Sequence, residues 1–379
     1  MMSRSTPVLD PITLVAPQID EEEVNAVAGV LRSGQLAQGP IVAEFEREFA
    51  RAIGVEHAVA VNSGTAAIHC GLAAFGIGPG DEVLTTPFTF AATATPILMQ
   101  RASVRFVDID PQTFNVDVDA FANAATEKTR AVVGVDLFGL PFDRSGSSAL
   151  ERRGIRLFED ACQAVGASRD GVRAGAAFEA AAFSFYATKN ILTGEGGMLT
   201  TNDVTIAERA RRFRHHGQGE RYEYIDLGYN YRLTDVLAAI GRVQLRRLPG
   251  FTRARRQNAA RYDVLLRDVP GVRLPFVPDG VEHVYHQYSV IIDERQTANG
   301  ADRDTVRARL SERGVASGIY YPKPLHLHPV FGGAHRAGEF PVAERVSAQI
   351  LALPIHPALS ERQLEHVAAS LREAVGDAS

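Results

Sequence analysis

Lys128, Lys189 and Lys323 are the only lysines in a chain of 379 residues that carries 37 arginines. Lys189 lies in Phe183-Ser-Phe-Tyr-Ala-Thr-Lys-Asn-Ile-Leu-Thr-Gly-Glu-Gly-Gly-Met, among small and apolar side chains. Arginine keeps its proton near neutral pH, whereas a partly desolvated lysine can lose it and condense with an aldehyde to form a Schiff base. Lys128, in Thr-Glu-Lys-Thr-Arg, reads as part of a solvated turn, and Lys323 is pinned between Pro322 and Pro324. Lys189 is therefore the candidate nucleophile.

A carboxylate follows from the run Gly154-Ile-Arg-Leu-Phe-Glu-Asp-Ala-Cys-Gln-Ala-Val-Gly. Neighbouring strand residues face opposite ways, so Glu159 and Asp160 cannot both serve one site, and Asp160, at the strand end, is the better candidate. A buried carboxylate needs a cationic partner, and the protonated ring nitrogen of pyridoxal phosphate would be one. A helix N-cap is the plain alternative. Gln163, about one helical turn further on, could donate to the phenolic oxygen of such a cofactor. His57-Ala-Val-Ala-Val-Asn-Ser-Gly-Thr-Ala-Ala reads as strand, turn and helix start, with Ser63 or Thr65 as cap and Gly64 admitting a ligand close to the backbone. Helix-start N–H groups favour a phosphate there, though a structural cap explains the same residues. Ser184 offers a further hydroxyl. In Thr86-Pro-Phe-Thr-Phe, Phe90 is expected to stack on a planar ring and Phe88 to pack in the core.

Elements must bring these residues together. Seven β-rich runs, at 57–62, 83–86, 104–107, 131–135, 155–159, 181–184 and 198–201, alternate with helical stretches, which predicts an α/β fold with a mostly parallel seven-stranded sheet and helices on both faces. Ligands of such sheets gather at the carboxyl ends of strands, where the candidate residues fall. Helices are expected at 20–32, 40–52, 234–248 and 251–268, the last two split by Pro249-Gly250. A strand at 283–292 and helices at 303–314 and 360–374 follow. These patterns give a large domain over 1–250 and a smaller α+β domain over 251–379, with the first fifty residues free to pack on either.

A net charge of −5, spread along the chain, offers no basic field for nucleic acid. No apolar run is long enough for a bilayer, and Met-Met-Ser-Arg-Ser-Thr-Pro is not followed by a signal-type apolar stretch, so the expectation is a soluble cytoplasmic protein. Cys70 and Cys162 read as small buried residues without a disulfide. Of the eleven histidines, His326 and His328 beside His286 lack the carboxylates a metal site would add, and no metal is expected.

Taken together, Asn62-Ser-Gly-Thr-Ala-Ala, Glu159-Asp-Ala-Cys-Gln-Ala-Val-Gly, Ser184-Phe-Tyr-Ala-Thr-Lys-Asn with Gly194-Glu-Gly-Gly, Gly228-Tyr-Asn-Tyr-Arg-Leu-Thr-Asp and Tyr321-Pro-Lys-Pro-Leu-His-Leu resemble the DegT/DnrJ/EryC1/StrS family of pyridoxal-phosphate-dependent sugar aminotransferases. The resemblance runs from about residue 12 to residue 375 and implies the aspartate aminotransferase-like architecture, fold type I. It implies that Lys189 forms the Schiff base, Asp160 holds the pyridinium, Gln163 meets the phenolic oxygen and Phe90 stacks. Gly64, Thr65 and Ser184 then bind the phosphate, and Asn230 reaches it from a second subunit, which implies a homodimer with shared sites. Members with histidine at the lysine position are dehydratases, so Lys189 points to transamination. The implied reaction takes an amino group from an amino acid, L-glutamate, to a keto sugar nucleotide. Tyr321, His326 and Lys323 are the expected substrate contacts, and Arg232 could answer a diphosphate. His215 departs from the family's usual Arg-Asn-His-Gly. Competing readings are amination of a cyclitol or other non-nucleotide ketone, and a cofactor-binding regulator without turnover.

Overall fold

The computed structural model describes residues 10–333 and 335–376. The extreme amino-terminal residues read above for a signal segment lie outside them. Two helices, α1 (Glu21–Ser33) and α2 (Pro40–Ile53), lead into β1 (His57–Val61) and α3 (Gly64–Ala74). The sheet continues with β2 (Glu82–Thr85), β3 (Ser103–Phe106), β4 (Thr129–Val135), β5 (Arg156–Asp160), β6 (Ala180–Ser184) and β7 (Gly197–Thr201). The spatial order is β1-β7-β6-β5-β4-β2-β3. All neighbours are parallel except β7, which runs antiparallel to both β1 and β6. The central strands are almost continuously apolar because helices cover both faces. On one face Phe45, Phe49, Phe183 and Phe185 interlock; on the other Ile68 and Leu72 of α3 pack with Ile206 and Phe213 of α4 (Val204–Phe213). This is the expected seven-stranded α/β architecture.

The Pro249-Gly250 break is not there. A single helix, α5, runs from Asp235 to Leu266 with Pro249 inside it. Local preference, which disfavours an interior proline by about 3 kcal/mol, is overridden by packing. The first half of α5 buries Leu245, Leu248 and Phe251 against the large-sheet core, and the second half buries Ala259, Tyr262 and Leu266 in the carboxy-terminal cluster. That cluster surrounds a three-stranded sheet in which β8 (Tyr288–Ile292) pairs with β9 (Ile350–Leu353), covered by α6 (Arg303–Glu312) and α7 (Glu361–Ala374). Ile12 belongs to this cluster, whereas α1 and α2 pack on α5.

The expected strand at 283–292 forms only from Tyr288. Tyr285 has φ 45°, which breaks a ladder, and the N–H groups of Val284 and Gln287 turn instead to the carbonyls of Gly139 and Phe138. The detour ties the smaller unit to the loop after β4 and brings His286 and Gln287 to the site.

Candidate active site

At the carboxyl ends of β1, β2, β5 and β6 lies a cavity of about 580 Å³, bounded on its far side by residues 286–287, 319–321, 352–353 and 355. Ser63, Gly64, Thr65, Phe90, Asp160, Gln163, Ser184, Lys189 and Tyr321 all line it. Ser63 is the α3 cap, its Oγ accepting from Ala66 N at 3.1 Å. The first-turn N–H groups of Gly64 and Thr65 have no helix carbonyl to reach and are suited to an anion. A Cβ on Gly64 would meet Cys162 Sγ at 2.8 Å and Ser184 Cβ at 2.9 Å, so only glycine lets the turn sit this close to β6.

Asp160 is buried and faces the cavity; Glu159 points to the opposite side of the strand and accepts from Gly175 N. Asp160 Oδ2 accepts from Thr93 Oγ1 at 2.6 Å and Oδ1 from Cys162 N at 3.2 Å. Both donors are neutral, so among the described residues no cation is bonded to this buried carboxylate. Gln163 is fixed at both ends: its Oε1 accepts from Phe138 N at 2.7 Å and its Nε2 donates to Tyr321 Oη at 3.1 Å. One N–H of the amide remains. Phe90 is 59% exposed, its ring turned to the cavity, while Phe88 is wholly buried.

Lys189 is half-buried in the loop after β6, where its backbone N–H closes a turn on Tyr186 O and Asn190 Nδ2 anchors the next residue to Val284 O. Burial lowers the pKa of its amine, and nearby Cys162 and Asp160 act the other way. No described residue hydrogen-bonds or ion-pairs with the amine. Cys162, expected in the core, is partly exposed at the cavity wall; Cys70 is buried, and both are free thiols.

Other expected contacts lie elsewhere. His326 is buried, its Nε2 3.1 Å from Glu344 Oε1 and its ring against Phe340, so it does not reach the cavity as a substrate donor. Lys323 is exposed and does not line the cavity either. Arg232 donates from Nη1 to His215 Nδ1 at 2.7 Å, so the residue that departs from the family pattern engages this guanidinium. Asn230 is exposed and outside this subunit's cavity. His286 meets Asn190 and His328 the Lys323 carbonyl, so the three histidines considered for a metal go to separate partners. Sequence reasoning missed Thr93 and Asp136. Asp136 shares with Asp160 the one legible sign, a carboxylate directly after a β run.

The residues fit pyridoxal phosphate: hydroxyls and helix-start N–H groups at one end, a buried carboxylate short of a cation at the other, an aromatic over the space between and a desolvated amine beside it. Fold and site define a fold type I pyridoxal-phosphate-dependent transaminase. The chain belongs to the DegT/DnrJ/EryC1/StrS aminotransferase family, which matches residues 17–372. It is 40% identical over 374 residues to a pleiotropic regulatory protein of Geobacillus stearothermophilus (97% of this chain, 98% of that one). It is 36% identical to the UDP-N-acetyl-3-dehydro-α-D-glucosamine 3-aminotransferase of Acidithiobacillus ferrooxidans, over 97% of each chain. Among solved structures, S. venezuelae DesV in complex with a ketimine intermediate superposes with a TM-score of 0.92 at 34% identity, covering 98% of this chain and 100% of that one. Spr1654 of Streptococcus pneumoniae in its PLP form gives 0.90 at 27% identity, covering 96% and 98%.

Proposed function

We propose that this enzyme moves an amino group from an amino acid, L-glutamate, to the ketone of a sugar nucleotide, with pyridoxal phosphate as cofactor. The observation that carries the reading is the convergence of Lys189 and Asp160 on one cavity. When bound, the cofactor supplies an electron sink for the pair released as a proton leaves the substrate carbon. Lys189, with its proton affinity lowered by burial, attaches the cofactor and then takes and returns that proton. Asp160, oriented by Thr93, holds the positive ring nitrogen; Gln163, fixed by Phe138 and Tyr321, presents its free N–H to the phenolic oxygen. Gly64, Thr65 and Ser184 take the phosphate, and Phe90 covers the ring. The sugar-nucleotide acceptor is supported by the Acidithiobacillus relative.

The site is completed in a homodimer by Asn230 of a second copy. Its outward position supports this, as do the neighbouring exposed apolar side chains of Tyr222, Tyr224, Ile225 and Leu227, the last 76% exposed. The name of the Geobacillus relative favours a second reading, a cofactor-binding regulator. Mixing the loaded enzyme with L-glutamate alone separates them: a transaminase converts its bound cofactor to the amine form, seen as a shift in absorbance, and releases 2-oxoglutarate. A regulator leaves the spectrum unchanged with every amino donor. A panel of keto sugar nucleotides and cyclitol ketones then tests the acceptor.

A further inference from the structure

Asp136 follows β4 directly and is wholly buried; Glu159, on β5, is almost as deeply buried. The strands pair in parallel with Gly134 opposite Glu159 and Val135 opposite Asp160, and Asp136 N donates to Asp160 O at 3.0 Å. The side chains of Asp136 and Glu159 are within hydrogen-bond reach of each other. Each has one oxygen taken up by a backbone donor: Asp136 Oδ1 by Phe142 N at 2.8 Å, and Glu159 Oε2 by Gly175 N at 2.8 Å. Among the described residues, no donor reaches Asp136 Oδ2.

Two ionised carboxylates cannot stand in contact away from water without a cation. Among the described residues, the charged or titratable groups that bear most on the pair are Asp160 and Arg144, and Cys162 lies within the electrostatic reach of Asp136. Arg144 bears on Glu159 from a distance, its guanidinium bonding the Ala177 carbonyl. A proton on Asp136 Oδ2, donated to Glu159, supplies the missing bond and removes one of the two charges. Burial, reinforced by the facing carboxylate, raises the proton affinity of Asp136 accordingly.

We propose that Asp136 and Glu159 hold one proton between them, carried by Asp136, and that this proton leaves one negative charge rather than two beside Asp160, whose role is to hold a cation. The second half rests on the role proposed above for Asp160; the shared proton does not. Asp136 is thus a positioning residue that acts through Asp160. A second full charge on the pair would stand against the negative charge that the role of Asp160 requires.

Infrared spectra of the enzyme at neutral pH, with and without cofactor, test the proton directly. A protonated-carboxyl C=O band that shifts on carbon-13 labelling of aspartate side chains and is lost in Asp136→Asn is expected. Its absence from the wild type, or its persistence in Asp136→Asn, overturns the shared proton. The double variant Asp136→Asn/Glu159→Gln carries no charge at the pair, so the acid limb of its kcat against pH should move to lower pH. An unmoved limb in the folded double variant overturns the link to Asp160. If that variant does not fold, the infrared comparison still decides the proton.

Discussion

The site depends on a few side chains whose partners fix their chemistry. Asp160→Asn keeps an acceptor for Thr93 Oγ1 and should fold, but it removes the charge opposite the ring nitrogen. It is expected to lose at least about a hundredfold in kcat, the scale of a misplaced catalytic proton or charge, with its melting temperature little changed. Steady-state rates beside a thermal melt check this, and near-wild-type turnover removes the role. The placement of Lys189, Asp160, Gln163 and Phe90 around one cavity was readable because the signs are local: an amine in an apolar run, a carboxylate at a strand end, a side chain one helical turn on, an aromatic after a strand. The Gln163–Tyr321 bond joins residues 158 positions apart, and no spacing rule reaches that far. His326 misled for the same reason, since its partner Glu344 sits in a helix that the short Pro-rich motif does not reveal.

Among the elements, the seven strands of the large sheet were placed within a residue or two because each is an apolar run bounded by turn residues, and strands of a covered sheet need little else. Helix α5 was not, because the sequence shows the local cost of Pro249 and Gly250 and hides the two cores that offset it. Gly250 has no atom within 4 Å of the position a Cβ would take. Gly250→Ala should therefore stabilise the fold by about 0.5–1 kcal/mol, the usual difference between the two residues inside a helix. Denaturant midpoints of variant and wild type measure it; a loss of stability would mean that the helix needs the glycine's freedom at this point.

For the molecule as a whole, buried neutral histidines tie stability to pH. Burial pushes His69 down from 6.5 to about 4, and His283 to about 3. As pH falls through 6.5 the unfolded chain binds protons that the folded chain refuses, so the stability these groups contribute is present above that pH and declines until the folded pKa is reached. For His69 this amounts to about 3 kcal/mol between pH 6.5 and about 4. Replacing His69 with Gln should make the slope of unfolding free energy against pH shallower in that window, and an unchanged slope would contradict the assignment. Composition had shown only eleven histidines; which of them are shut away from water is decided by packing, as with His69 between Phe213 and Tyr229.

Borohydride reduction of the cofactor-loaded enzyme, followed by peptide mapping, bears most directly on the central claim. The pyridoxyl mass should appear on the peptide that contains Lys189, at one per chain, and disappear in Lys189→Ala. A tag on Lys128 or Lys323, or an untagged Lys189 peptide in enzyme that still turns over, would contradict the account.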